Sequence, residues 1–324
     1  MNLLIKDLLF AVPKLEVQLI LAVIYTIVWY VLINHVIVPI AVSIISNLEA
    51  KKRFIHFNRE SFKKMIRWDI GNNEDEQIIA IARIDAAMVQ HLVGGIMFLP
   101  SAFGVGLPEN FATALAGHAG LSEMGWEVQD VISRTYEIIF GGEIGRKLNP
   151  ISLMLTIIAH HSAACTAVIP MNLHYPTNRW WHEGFCIVQF GSFVLLLLQQ
   201  YGYTLDVDTR DGLKKMKIAI SISFFTCLWT RVFRYSIILK AMYDGFSADR
   251  SWNFIYVGAG PALLLSVFNL VVMKDAWQKF SKFVFKDVTK VSKEIKKHSE
   301  RNIERTIKKL GSLKNITYNS IKSS

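Results

Sequence analysis

A chain of 324 residues that is 52% hydrophobic and only 19% charged, with a mean hydropathy of +0.31, does not read as a soluble globular domain. Its net charge of +10 does not indicate a nucleic-acid binder, because much of the excess sits in one early loop and the C-terminal tail. That is the ordinary mark of cytosolic segments in a polytopic membrane protein. The three cysteines (Cys165, Cys186, Cys227) all fall inside apolar stretches, so neither a structural disulfide nor a cysteine metal site is expected.

Residues 1–16 are mixed and offer no small-residue cleavage site. The run Val17–Ile45 is too long for the core of a signal peptide and reads as a retained first span, with Asn34 and His35 inside it. Residues 48–77 are polar and basic (Lys51, Lys52, Arg53, Arg59, Lys63, Lys64, Arg67), with acids interspersed. A solvated loop is expected there, with an amphipathic surface helix as the option. The second span, Ile78–Phe103, carries Arg83 and Asp85 near its loop end and His91 deeper.

The third span, Phe111–Phe140, is the least apolar. Glu123, Glu127, Asp130, Arg134 and Glu137 recur at spacings of 4, 3, 4 and 3, which puts all five on one helical face. Facing lipid, those charges would cost several kcal/mol, so the stripe must face protein or water. Arg134 follows Asp130 by four residues, which allows a same-face ion pair.

The fourth span, Asn149–Leu173, has His160 and His161 near its middle. An imidazole in hydrocarbon needs a partner or a cavity, and two adjacent ones point about 100° apart on a helix. One can then face a cavity while the other braces against a neighbouring helix. A tight loop, HYPTNRW, follows, with Trp180 and Trp181 expected in the interfacial belt. The fifth span, Trp181–Tyr203, carries Gln189 and Ser192 on one face. Arg231 and Arg234 lie in the sixth, Ile218–Met242. The seventh, Trp252–Met273, has Asn269 near its end and an expected kink at Pro261.

Residues 284–324 form a basic tail whose apolar positions (Val291, Ile295, Ile303, Ile307, Leu310) keep a helical period. The two readings are contact with anionic lipid headgroups and a solvated tail. Lysine and arginine crowd the 48–77 loop, Arg146–Lys147, the loop after the fifth span and the tail. With seven spans this places the N-terminus in the lumen and the C-terminus in the cytosol. The Asn315–Thr317 sequon then lies on the cytosolic side and is expected to carry no glycan.

Five local patterns occur in one order. GWEVQDVI (Gly125–Ile132) is similar to the G-Y-F-x-x-D-L pattern of the third span in TLC-domain proteins, the superfamily of ceramide synthases, translocation-associated TRAM proteins and lipid-regulating relatives. RKLNPISLMLTIIAHH (Arg146–His161) resembles the basic loop, proline and HH helix that follow. FCIVQFGSF looks like the next span, SFFTCLWTRVFRY like the F-x-x-x-F-x-x-R-V signature, and LLSVFNLVVMKDAWQKF like the closing asparagine and short basic exit.

The resemblance covers roughly residues 78–283 and implies an all-α polytopic membrane protein of seven spans. Six of them would form a helical barrel around a central cavity, preceded by residues 1–47 with the first span and by the 48–77 loop. In ceramide synthases the histidine pair is needed to move an acyl group from coenzyme A to the amine of a long-chain base. His160 and His161 hold that place here, Asp130 matches the third-span aspartate and Arg231 the sixth-span arginine. The family's next-span acidic signature is absent, and Gln189, Phe190, Gly191 and Ser192 stand there instead. His182 and Glu183 read as residues of the membrane edge.

The expectation is therefore a lipid-handling protein of the endoplasmic reticulum, a divergent TLC relative. If it is an enzyme, it transfers an acyl group to a lipid amine or hydroxyl, with His160, His161 and Asp130 catalytic. Glu127, Arg134, Gln189, Ser192 and Arg231 would bind substrate. Acyl-CoA is the implied co-substrate, and neither a tightly bound cofactor nor a metal is expected. Membrane lipids are the expected partners, nucleic acid is not, and a homodimer is an option.

The alternative is a non-catalytic lipid-binding or trafficking protein. A fatty-acid elongase is disfavoured because Ile157 replaces the leading histidine of H-x-x-H-H. A di-iron oxygenase is excluded because the nine histidines are scattered. A channel lined by the acidic stripe against Arg231 and Arg234 lacks an internal repeat to support it.

Overall fold

The structure is a computed structural model that describes residues 3–286. The expected helix of the tail and the Asn315–Thr317 sequon therefore lie outside the described residues. Every element among the described residues is helical. A short α1 (Leu3–Leu9) leads into α2 (Leu15–Leu32), a π-helical turn (Ile33–Ile37) and α3 (Val38–Ser46), which run on as one rod of 32 residues. Then come α4 (Lys51–Ile66), α5 (Glu74–Phe103), α6 (Glu109–Phe140), the short α7 (Gly142–Leu148), α8 (Ile151–His174) and α9 (Arg179–Thr204). A second long rod joins α10 (Arg210–Cys227) to α11 (Arg234–Ala248) through a π-helical turn at Leu228–Phe233, and α12 (Trp252–Val284) closes the fold.

Six of these rods are long and apolar enough to cross a membrane: Leu15–Ser46, α5, α8, α9, Arg210–Ala248 and α12. They give the chain the character of an integral membrane protein. The 32 residues of α6 are long enough, about 48 Å at the helical rise of about 1.5 Å per residue, but too polar to join the six. Large apolar side chains such as Val23, Ile27, Ile44, Leu263 and Leu270 point outward, while glutamines, histidines and carboxylates are buried. That distribution suits a lipid solvent.

Glycines set the closest helix contacts. A Cβ on Gly125 of α6 would lie 2.6–2.7 Å from the backbone and Cβ of Tyr25 and Thr26 in α2. On α5, a Cβ at Gly94 would overlap the Gln189 side chain of α9, and one at Gly95 would lie 3.0–3.2 Å from Phe190. Small residues let backbones approach where lipid supplies no hydrophobic drive for helix association. The α5–α9 and α2–α6 pairs are the most extensive contacts in the fold.

Two expectations are corrected. The solvated loop at 48–77 contains α4, which is docked rather than free. Phe54, Ile55 and Phe62 form a buried face against Trp68, Ile70 and Leu148, and Asn58 exchanges two amide hydrogen bonds (3.0 and 3.2 Å) with Gln200 of α9. Its apolar residues recur at helical spacing, so docking hides a face that water would reject.

Trp181 does not sit in an interfacial belt but is buried against Phe185, while its neighbour Trp180 is exposed. Adjacent positions on a helix point about 100° apart, so one can face inward and the other outward. Arg83 forms a two-pronged pair with Glu137 of α6. Pro261 lies inside α12, which stays helical on both sides of it.

α5 begins at Asn73, whose side chain accepts from the Asp75 and Glu76 amides, with Glu74, Asp75 and Glu76 in its first turn. Capping and dipole both favour a start there.

Because Gly95 meets backbone rather than a flexible side chain, Gly95→Leu must push α5 off α9. The expected cost is roughly 1–3 kcal/mol, the range for overpacking, seen as a lower melting temperature of the purified protein in detergent. Gly258→Ala on α12, where nothing lies within 4 Å of the new Cβ, is expected to leave that temperature unchanged.

Candidate functional site

The charged stripe of α6 turns inward along its whole length. Glu123, Glu127 and Arg134 are buried, Glu127 completely, and Asp130 and Glu137 are partly so. α8 crosses this face so that His161 lies between two of the carboxylates. Its Nε2 is 3.2 Å from Asp130 Oδ2 and its Nδ1 is 3.6 Å from Glu127 Oε1. An ionised Asp130 only accepts hydrogen bonds, so Nε2 carries the proton and donates it.

Asp130 also accepts from Arg134 Nε at 2.8 Å. Arg134 Nη1 donates to Asn149 Oδ1 at 3.0 Å, and Asn149 Nδ2 donates to Glu137 Oε2 at 2.8 Å. With Arg83 on Glu137, a continuous chain of charge-assisted bonds ties α5, α6 and α8 together. Glu127 Oε2 accepts from the Cys165 thiol at 3.2 Å. The His161 ring stands edge-on to Trp126, their centroids 5.1 Å apart.

His160 points elsewhere. Its ring lies 5.1 Å from that of Phe268 on α12, and it lines a cavity of about 180 Å³ enclosed by α5, α6, α8, α9, α11 and α12. Its polar lining includes His91, Glu123, Glu127, His160, Gln189 and Ser192. Most of the lining is apolar, with Phe185, Ile238, Met242 and Leu265 among the residues.

The sequence-selected residues thus separate into groups. His160, Glu127, Gln189 and Ser192 reach the cavity. His161 stands behind His160 and is held by Asp130. Asp130 and Arg134 line a smaller pocket further along α6, together with Asn34 and Trp126.

Arg231 does not line the cavity. It sits buried in the π-helical turn and donates to Val188 O (2.9 Å), to Ser192 Oγ and to Asn269 Oδ1 (3.2 Å). It joins α9, the turn and α12, which is a positioning role. A π-helical turn adds a residue to the helical cycle and so re-aims a side chain.

Sequence reasoning undervalued two cavity residues, His91 and Glu123. Glu123 is one turn before Glu127, so the stripe itself pointed to it. His91 carried no signal beyond its depth in the second span. His182 and Glu183, read as membrane-edge residues, are both buried. Glu183 pairs with Arg234 through both carboxylate oxygens, and His182 Nδ1 lies 2.6 Å from Ser101 Oγ. Arg234, a cation inside a span, required such a partner.

Several buried polar atoms near the cavity have no partner among the described residues: His91 Nδ1, Glu123 Oε2, Glu127 Oε1, His160 Nδ1 and both side-chain polar atoms of Gln189. Unsatisfied groups concentrated in one place call for a functional explanation. Glu127, His160 and His161 also present one donor atom each within 4.8 Å of one another.

No protein-family model, no curated protein and no solved structure matches the chain.

The Glu183–Arg234 pair gives a test of the interior electrostatics. Arg234→Met leaves Glu183 buried without its counter-ion and is expected to cost roughly 3–5 kcal/mol. The double variant Arg234→Met, Glu183→Gln is expected to recover most of that loss, measured by thermal unfolding in detergent.

Proposed function

We propose that the protein handles a membrane lipid whose apolar part occupies the cavity and whose polar or reactive group meets His160, Glu123 and Glu127. The observation that carries this reading is the cavity's lining: it is mostly apolar, and it includes histidine and carboxylate side chains whose buried polar atoms have no partner among the described residues. Its volume is comparable to engineered apolar cavities of about 150 Å³ that take up benzene, so it receives a segment of a lipid rather than a whole one.

The resemblance to TLC-domain proteins agrees with this reading. In that arrangement α6 is a seventh crossing, tolerated because its charges face protein, and six crossings surround the cavity. The basic segments favour a lumenal N-terminus and a cytosolic C-terminus in the endoplasmic reticulum.

Acyl transfer is the chemistry this site would run as an enzyme, with acyl-CoA as co-substrate. His160 takes the proton of an acceptor amine or hydroxyl as its nitrogen or oxygen bonds to the thioester carbonyl carbon. The C–S bond breaks, and the coenzyme A thiolate leaves with a proton returned by His160. His161, fixed by Asp130, sets the position of the helix turn that carries His160.

Mass spectrometry of the purified protein with and without long-chain acyl-CoA tests the proposal. A lipid is expected to co-purify, and to be depleted several-fold when Ile238→Trp fills the cavity. Acylated product is expected from the wild type and not from His160→Ala, provided that variant keeps its wild-type melting temperature. Bound lipid with no product in any protein would assign a carrier or sensor, and no lipid at all would refute lipid handling.

A further inference from the structure

We propose that Glu127, His160 and His161 form a binding site for one divalent cation of the zinc class. This reverses the expectation, drawn from sequence, that the chain binds no metal. The site goes beyond lipid handling and stands independently of it.

Four observations carry the site. First, one donor atom from each of the three residues lies within 4.8 Å of the others. Two donors at about 2.0–2.1 Å from a tetrahedral zinc ion sit roughly 3.3 Å apart. The His161 Nδ1 to Glu127 Oε1 distance of 3.6 Å is already close to that. His160 offers the third donor, within 4.8 Å of the other two.

Second, His161 Nδ1, His160 Nδ1 and Glu127 Oε1 are all buried and all without a hydrogen-bond partner among the described residues. Three such atoms from three neighbouring side chains are unusual in a protein interior.

Third, Asp130 accepts the Nε2 proton of His161 at 3.2 Å. That bond leaves the Nδ1 lone pair free and turned toward Glu127. A carboxylate behind a histidine in this way is the usual support for a metal-binding imidazole.

Fourth, no arginine or lysine pairs with Glu127 or Glu123 among the described residues. Glu127 is fully buried, and Glu123 lies one turn away with Oε2 unpartnered. Arg134 is engaged by Asp130 and Asn149, while Arg231 is engaged by α9 and α12. A dication between Glu127 and the two imidazoles supplies the missing positive charge.

Two imidazoles and one carboxylate suit zinc and other first-row divalent ions better than magnesium or calcium, which take all-oxygen sets. The same three-ligand set with an open fourth position belongs to catalytic rather than structural zinc sites. Glu127 and His160 both line the cavity, so the open position would face it. With the cation bound, a lipid carbonyl or headgroup would meet the ion where it would otherwise meet the bare imidazole.

The competing arrangement is a protonated His161 paired with Glu127 and Asp130, with no metal. The full chain, purified in detergent and stripped with chelator, is dialysed against Zn²⁺ or Co²⁺ and its metal content measured. One equivalent is expected for the wild type and for His174→Ala, an exposed histidine at the end of α8. Glu127→Gln and His160→Ala are expected to lose it, and Asp130→Asn to weaken affinity about 10–100-fold.

X-ray absorption on the zinc-loaded wild type needs no variant. It is expected to show two imidazole nitrogens and oxygen ligands at about 2.0–2.1 Å. Absence of stoichiometric zinc, equal zinc in all variants, or a spectrum without two imidazoles would overturn the site. None of these readouts depends on lipid binding or acyl transfer, so this proposal and the lipid reading can fail separately.

Discussion

A helix with five ionisable residues on one face cannot lie against lipid, and the bundle is arranged around burying that face of α6. α5 brings Arg83 to Glu137, α8 brings His161 to Asp130 and Glu127, and Asn149 just before α8 bridges Arg134 to Glu137. On another side, Trp29 of α2 donates to Ser122 at 2.9 Å. Each neighbour is thereby held in register by a polar contact as well as by packing. Buried ion pairs contribute little net stability compared with apolar replacements, but they penalise every wrong alignment heavily. In a bilayer, where sliding one apolar helix past another costs little, that selectivity is what defines the arrangement.

The glycine contacts act together with these pairs. Gly125 allows α2 to touch the α6 backbone, and Gly94 and Gly95 do the same for α5 and α9. Gly191 lies against Thr230, so α9 also approaches the π-helical turn that holds Arg231. The result is a tightly joined group of helices around the histidines, with α12 laid on its outside.

Much of this was readable from residue spacing. The apolar runs marked seven spans, six of which are helices long and apolar enough to cross a membrane, and the 4, 3, 4, 3 recurrence marked an inward-facing stripe. The histidine pair announced itself because two imidazoles in hydrocarbon need a reason. Which histidine faced the cavity was not readable, since the 100° between them says nothing about where the neighbours stand. The burial of His182 and Glu183 was not readable from their segment, because it depends on the position of α11, which carries Arg234. The docking of α4 was hidden by its lysines and arginines, which outnumber the three apolar residues that fix it. The grouping of Glu127 with both histidines joins α6 to α8, and no pattern within either segment specifies that crossing.

α12 has one described buried residue, Asn269, and yet its Val257, Gly258, Pro261 and Leu265 wall the cavity. A single helix therefore separates the cavity from whatever surrounds the protein on that side. A ligand with an acyl chain would enter by moving α12 sideways, without leaving the leaflet or crossing water. Occupancy would then follow the mole fraction of that lipid in the membrane rather than its aqueous concentration. Two membranes with the same amount of protein and of ligand, but different total lipid, would fill the cavity to different extents.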